Sequence, residues 1–182
     1  MSDEKPKLLL HACCAPCSTH PIRLLQDLFR VTVHFYNPNI HPETECIARR
    51  KEMERLAFKW NVPFLGDVHD PERWFNHISG RENDAEGSTR CALCFEMRLS
   101  RTAQKAKELG FPYFGTTLTI SPHKDAGTIN RIGEKIAKQV GISFVRADFK
   151  KKDGFLIAGR IGREEGLYRQ NYCGCVFSRR RA

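Results

Sequence analysis

Lys7-Leu-Leu-Leu-His-Ala-Cys-Cys-Ala-Pro-Cys17 decides how the rest of this chain is read. Lys7–Ala12 is a short apolar run of the kind a strand shows when both of its faces are covered. Pro21–Phe29 follows, with helical spacing at Ile22, Leu25 and Phe29. Between the two sit Cys13, Cys14 and Cys17. In a parallel α/β sheet that place is the carboxyl end of a strand, where ligands bind.

The alternation continues downstream. Val31–Tyr36 is β-branched and aromatic, which predicts a second strand, and Asn37-Pro38-Asn39 ends it. Glu43–Trp60 predicts a helix with Cys46, Met53, Leu56, Ala57 and Trp60 on one face, and Val62–Leu65 a brief third strand. The polar stretch Gly80–Ser88 leads into a helix at Cys91–Leu109, with Gly110 where a C-cap glycine belongs. Tyr113–Thr117, Asp125–Val140, Ile142–Val145 and Gly154–Glu165 then read as strand, helix, strand and helix. The expected fold class is α/β, three layers around a mostly parallel sheet. We expect one domain over residues 1–182, with a cysteine-bearing helical insertion around Asp70–Cys94. Ser121-Pro-His-Lys-Asp125 takes, after the fourth strand, the place Cys13–Cys17 takes after the first.

Bulk properties narrow the function. With 41% hydrophobic and 28% charged residues in 182, the composition is that of a soluble globular protein. Met1–Lys7 is polar and Leu8–Leu10 gives way at once to His11, so no signal peptide is expected. No run approaches the ~20 apolar residues of a membrane span. A cytoplasmic, reducing location without a membrane partner follows, and there clustered cysteines serve metals or catalysis rather than cross-links. The net charge of +9 favours a polyanionic partner, with nucleic acid foremost, and Arg179-Arg180-Arg181 adds to it.

Seven of the eight cysteines fall into three groups: Cys13/Cys14/Cys17, Cys91/Cys94 and Cys173/Cys175. Cys91 and Cys94, three apart at a helix start, project from one face, and Gly174 lets the backbone bend between the last pair. Four thiolates saturate a zinc or a 4Fe–4S cluster. The surplus therefore points to a second metal or a redox thiol beside the first. Two other readings stand. Cys91, Cys94, Cys173 and Cys175 alone would make a closed zinc site in an RNA-binding protein. Cys14-Ala-Pro-Cys17 at a helix N-terminus would suit a thioredoxin-like exchanger. Cys46 has no close partner and reads as a buried, inert thiol.

Other candidates are weaker singly. His11 and His123 flank the cysteines and suit ligation or proton transfer. Asp125 suits a helix cap or a proton donor. Asn37 and Asn39, at a strand end, can read a nucleobase or make a turn. Tyr168, Arg169 and Tyr172 combine aromatic and basic character suited to an unpaired base. Arg49 and Arg50 are expected on a solvated helix face, and Trp60, Trp74 and Phe95 in the core. No GxxxxGK[ST] and no SGGxDS-type loop follows the first strand, which argues against an ATP-using reaction.

Four separated segments then carry a resemblance: His11-Ala-Cys-Cys-Ala-Pro-Cys17, Arg90-Cys-Ala-Leu-Cys-Phe-Glu-Met-Arg-Leu99, Thr116-Thr-Leu-Thr-Ile-Ser-Pro-His-Lys-Asp125 and Tyr168-Arg-Gln-Asn-Tyr-Cys-Gly-Cys175. Together, over Leu8 to Ser178, they resemble the QueH family of cobalamin-independent epoxyqueuosine reductases. The resemblance implies a fold similar to the adenine-nucleotide α-hydrolase (PP-loop-like) layout. It also implies a 4Fe–4S cluster with an adjacent mononuclear iron, and reduction of the epoxide of epoxyqueuosine in tRNA, the last step of queuosine biosynthesis. The partners implied are that tRNA and an external electron donor of the ferredoxin or flavodoxin type. The seven clustered cysteines are the expected metal ligands, His123 and Asp125 the expected catalytic pair, and Asn37, Asn39, Tyr168 and Arg169 the expected substrate contacts.

Overall fold

The computed structural model describes residues 5–179, so Arg180 and Arg181 of the basic tail and the first four residues lie outside the described residues. Five parallel strands form one sheet: β1 (Lys7–His11), β2 (Arg30–Phe35), β3 (Phe64–Gly66), β4 (Tyr113–Thr116) and β5 (Ser143–Phe144). Their order is β3-β2-β1-β4-β5. The chain therefore winds outward from β1 to one edge, then crosses back to the other side of β1 at β4. This reversal makes a switch point between the carboxyl ends of β1 and β4, and a crevice opens there.

Side-chain alternation along β1 sets the layers. Leu8 and Leu10 face a core shared with Ile22 and Leu25 of α1 (Ala15–Gln26), Met53 and Leu56 of α2 (Glu43–Lys59) and Ala158 of α6 (Gly154–Glu164). Leu9 faces a second core with Leu99 of α4 (Thr89–Glu108) and Ile129 and Ile136 of α5 (Ala126–Val140). All three leucines are fully buried, worth roughly 1.5–3 kcal/mol each. A short helix, α3 (Pro71–His77), capped by Asp70 accepting from Arg73 N at 3.1 Å, lies in the expected insertion, whose cysteines Cys91 and Cys94 sit in the first turns of α4 and not on α3. Trp74 of α3 is wholly buried and packs with Tyr36, Ile78, Cys94 and Cys175 in a third cluster. Among the described residues no helix is long and apolar enough to cross a membrane.

Boundaries differ from the sequence reading at one place that matters. Helix α1 begins at Ala15, six residues ahead of the expected start, with Cys14 as its N-cap, Pro16 in its first turn and Pro21 inside it. A proline in the first turn gives up only an N–H that has no helical partner. Pro21 does remove an interior bond, the one its N–H would give to the Cys17 carbonyl, and is tolerated in a helix packed on α6. The result places Cys17 in the first helical turn instead of in a loop.

Candidate metal centre

At the end of β1 the chain turns sharply, and buried polar groups hold that turn. His11 is fully buried: Nδ1 lies 3.0 Å from Thr116 Oγ1, and Nε2 lies 3.1 Å from Asn37 Oδ1 and 3.2 Å from the Tyr36 carbonyl. The two carbonyl-type neighbours place the proton on Nε2. Burial pushes the imidazole down to about 3, so His11 stays neutral and, with both nitrogens engaged, serves as a strut between β1, β2 and β4. Asn37 extends the strut. Its Nδ2 donates to the Ala12 carbonyl at 2.9 Å, and its Oδ1 accepts from Arg98 Nη1 at 3.4 Å. Arg98 Nε donates in turn to the Cys94 carbonyl at 3.2 Å, so one chain of bonds spans the first and second cysteine groups.

Cys13, Cys14 and Cys17 have their sulfurs within 4.8 Å of one another, the one such group among the described residues. Cys13 Sγ and Cys14 Sγ are 3.8 Å apart. Hydrogen bonding from Cys14 holds the Cys13 thiol well below the ordinary range, while Cys14 is pushed up to about 12 by its bond to the Cys13 sulfur. Cys17 is likewise raised by its bond to Cys13. Cys14 is 1% exposed, so its sulfur is poorly placed to meet the disulfide of a partner protein. That argues against thiol exchange through Cys14 and Cys17.

The last pair shows the same asymmetry: hydrogen bonding from Cys175 lowers Cys173, and Cys175 is raised in return. Cys173 Sγ also meets Ser178 Oγ at 3.0 Å. Cys94 is fully desolvated, which raises it, and Cys91 Sγ accepts from Gly87 N at 3.2 Å.

Two cavities join these groups. A cavity of about 290 Å³ is bordered by Cys13, Cys17, Cys173, Arg169, Gln170 and Arg163. A second, of about 170 Å³, is bordered by Cys91, Cys94, Cys173, Cys175, Trp74 and Asp125. His123, Lys124, Glu86 and Cys173 border both, so the two share a wall. The four cysteines of the second cavity are not drawn into a group as tight as Cys13/Cys14/Cys17, which does not favour a closed four-cysteine zinc.

The donor set fits a sulfur-rich metal group. Among the described residues, Trp74 Nε1, Arg90 Nε, Asn39 Oδ1 and Gln170 Oε1 are buried without hydrogen-bond partners, and each belongs to a residue bordering one of the two cavities. Each unpaired polar atom costs about 1–3 kcal/mol in a dry core. Of the four, Trp74 Nε1 and Arg90 Nε are N–H donors, the kind of group metal-bound sulfur accepts from, whereas the two amide oxygens can only accept.

The remaining candidates sort by position. His123 is exposed at the shared wall. Asp125 caps α5, accepting from Thr128 N at 2.7 Å, and hydrogen bonding from the Thr128 side chain, then its backbone, holds the carboxyl below the usual range. Arg169 borders the larger cavity, with its guanidinium 5.6 Å from the Phe155 ring. Tyr168 is half-exposed, and its hydroxyl donates to Glu45 Oε2 at 3.1 Å. Asn37 and Asn39 are 2% and 1% exposed, and Asn37 is committed to scaffolding. Cys46 is buried with no sulfur neighbour, and desolvation pushes it up to about 11.

Arg49 does not lie on a solvated face. It is 1% exposed and donates to the Cys173 carbonyl from Nη1 and the Tyr172 carbonyl from Nη2, each at 3.1 Å, and to Glu45 Oε1 at 2.7 Å. It ties the segment over residues 168–175 across the carboxyl edge of the sheet. Arg50 is the solvated member of the pair, its side chain 43% exposed.

The class of fold is set by solved structures. A predicted subunit of a tRNA methyltransferase from Methanocaldococcus jannaschii superposes with a TM-score of 0.57, covering 90% of this chain and 93% of that one. The U34-tRNA thiolase NcsA from Methanococcus maripaludis, solved with its [4Fe-4S] cluster, gives 0.55 over 92% of this chain. This chain spans 59% of that thiolase. At 11% identity in both cases the likeness is one of fold, the PP-loop-like α/β layout.

Sequence relatives are far closer. The profile of the family described as epoxyqueuosine reductase QueH matches residues 8–181. An epoxyqueuosine reductase QueH from Streptococcus pyogenes is 41% identical over 96% of this chain and 71% of its own length. One from Thermotoga maritima is 39% identical over 94% and 89%. This chain belongs to the QueH family of epoxyqueuosine reductases, a family of oxidoreductases.

Proposed function

We propose that this chain, acting as one metal-binding catalytic domain over 1–182, reduces the epoxide of epoxyqueuosine in tRNA to the cyclopentene of queuosine. The observation that carries the reading is the convergence of all three cysteine groups on two adjoining cavities at the β1/β4 switch point. Cys13, Cys14, Cys17, Cys91, Cys94, Cys173 and Cys175 are the residues that would hold a 4Fe–4S cluster and a neighbouring mononuclear iron. When bound, such a pair supplies one-electron transfer and a Lewis acid for oxygen.

Deoxygenation consumes two electrons and two protons and releases water. The electrons come from an external one-electron donor of the ferredoxin or flavodoxin class. Asp125, with its carboxyl held low by hydrogen bonding from Thr128, is ionised at neutral pH and cannot give a proton. This favours delivery by His123 or water at the wall between the cavities, with Asp125 orienting the donor. The larger cavity, about 290 Å³, takes the extruded modified base. Its rim bears Lys124, Arg163 and Arg169, placed for flanking phosphates. Tyr168, on the neighbouring rim with Tyr172, offers a face for stacking. Asn39, with its Oδ1 unpartnered, stays a candidate contact, whereas Asn37 acts through the strut. A reducing cytoplasm is the location this chemistry calls for.

The test is the iron, acid-labile sulfide and zinc content of protein purified without oxygen, followed by turnover of epoxyqueuosine tRNA with a chemical reductant. About four sulfides with iron in slight excess, together with product, support the reading. One zinc without sulfide and without product overturns it in favour of a zinc-stabilised RNA-binding protein.

A further inference from the structure

Gln170 lines the larger cavity, and its side-chain amide donates directly to a cysteine sulfur of the first group. Its Nε2 lies 2.8 Å from Cys14 Sγ, across 156 positions of sequence. Cys14 is 1% exposed, so no water competes for that sulfur. The amide is carried on the segment that Arg49 clamps through the Tyr172 and Cys173 carbonyls, which fixes its approach. Its own Oε1 is buried without a partner. The amide therefore makes its sulfur contact while leaving its oxygen unsatisfied, an arrangement that packing of the segment alone does not call for.

We propose that Gln170 is a positioning residue that sets the reduction potential of the metal centre by donating an N–H···S hydrogen bond to Cys14. The inference rests on the metal-centre reading above. A one-electron reduction adds negative charge to the centre and its ligand sulfurs, and no bond forms or breaks. A donor fixed at one of those sulfurs stabilises the reduced form more than the oxidised one, so the midpoint rises. Low solvent access strengthens the effect, because water does not compete for that sulfur. The bond makes the centre easier to fill by the external donor.

The test compares the anaerobically reconstituted parent with Gln170→Met, which keeps length and loses the donor, and Gln170→Asn, which keeps the amide and loses reach. Readouts are iron and sulfide content, melting temperature, the midpoint potential from a titration followed by electron paramagnetic resonance, and proton hyperfine couplings that disappear after exchange into D₂O. We expect both variants to hold the parental iron and sulfide and to melt no lower. At fixed ambient potential their ratio of reduced to oxidised centre should fall about tenfold, a negative shift of about 59 mV for one electron. One exchangeable coupling present in the parent should be lost. Parental iron with an unmoved midpoint and an unchanged coupling overturns the inference and leaves the metal reading intact. Loss of iron from both variants also overturns it, by making Gln170 a loading element. A parent without iron overturns both.

Discussion

Replacing Arg49 with methionine tests whether one buried guanidinium holds the last cysteine pair in place. The substitution removes donors to the Tyr172 and Cys173 carbonyls and to Glu45, and lifts the cation from 5.2 Å above the Tyr172 ring. Charge-assisted hydrogen bonds contribute about 1.5–3 kcal/mol each. The three share one group, so they do not add. Removal of one member of a buried ion pair costs about 3–5 kcal/mol, and that is the magnitude expected for the docking of residues 168–175. Glu45 keeps the Tyr168 hydroxyl as a partner, which favours the lower end. A domain holds roughly 5–15 kcal/mol in all, so the sheet should survive while the segment loosens. Amide hydrogen exchange reads this locally. The His41 N–H, held by the Gly174 carbonyl at 2.8 Å, and the Ser178 N–H, held by the Cys175 carbonyl at 3.0 Å, should exchange about two to three orders of magnitude faster. The amides of β1 should keep most of their protection. Arg49→Lys, which keeps the charge and loses the fork, should fall between. Unchanged protection at His41 and Ser178 in Arg49→Met would refute the clamp, and so would loss of protection in β1 before the segment opens.

Four further outcomes are expected. Gly174→Ala should cost about 1–3 kcal/mol in urea unfolding, because φ is +109° and the new Cβ would sit 2.7 Å from Ile40 Cγ1; parental stability would contradict the packing. His34 is buried, which pushes its imidazole down to about 4 from 6.5, so its stabilising contribution is complete above pH 6.5 and is lost as pH falls through 4. That is worth about 3 kcal/mol, and a His34→Gln protein should show a flatter decline of unfolding free energy between pH 6.5 and 4; equal slopes would remove His34 from the acid response. Cys91→Ser and Cys173→Ser should lose iron and turnover while Cys46→Ser keeps both, and full iron in Cys91→Ser would redraw the ligand set. Affinity for substrate tRNA should fall steeply with salt, with the slope reduced by about one on neutralising Lys124, Arg163 or Arg169 singly; a flat salt response would exclude phosphate contacts.

How much of this was legible depends on whether a signal is local. The strand at Leu8–Leu10 and the cysteines after it are legible because a fully apolar run and a CxxC need no tertiary context. The helical insertion announces itself through Asp70-Pro71, a capping residue followed by an N1 proline. The start of α1 is harder, since Ala15–Thr19 shows no apolar stripe until Ile22, and Pro21 resembles a first-turn proline. Arg49 lies three residues after Cys46 and four before Met53, on the apolar face of α2. Its position argues for burial while its residue type argues for solvent, and only the incoming carbonyls of Tyr172 and Cys173 decide the matter. Asn37 resembles a turn asparagine from sequence, because its partners Arg98 and His11 are 61 and 26 residues away. Gln170 lies in an irregular segment with no periodicity, and nothing local marks it. The sheet order that brings the 116–125 segment beside Cys13 is likewise a matter of crossover direction rather than of any residue.

The clamped segment has a consequence for biogenesis. Chains emerge from the ribosome N-terminal end first, so β1 and the Cys13/Cys14/Cys17 turn can be formed well before residue 170 has been translated. Until then the larger cavity lacks the wall made by Leu167–Cys173, and Cys14 lacks its bond from Gln170. A thiol triad made early and roofed late has an unroofed window on every round of synthesis. Any metal that the triad takes up must enter within that window or through the roofed cavity after it, and the arrival of the roof is the event that separates the two routes.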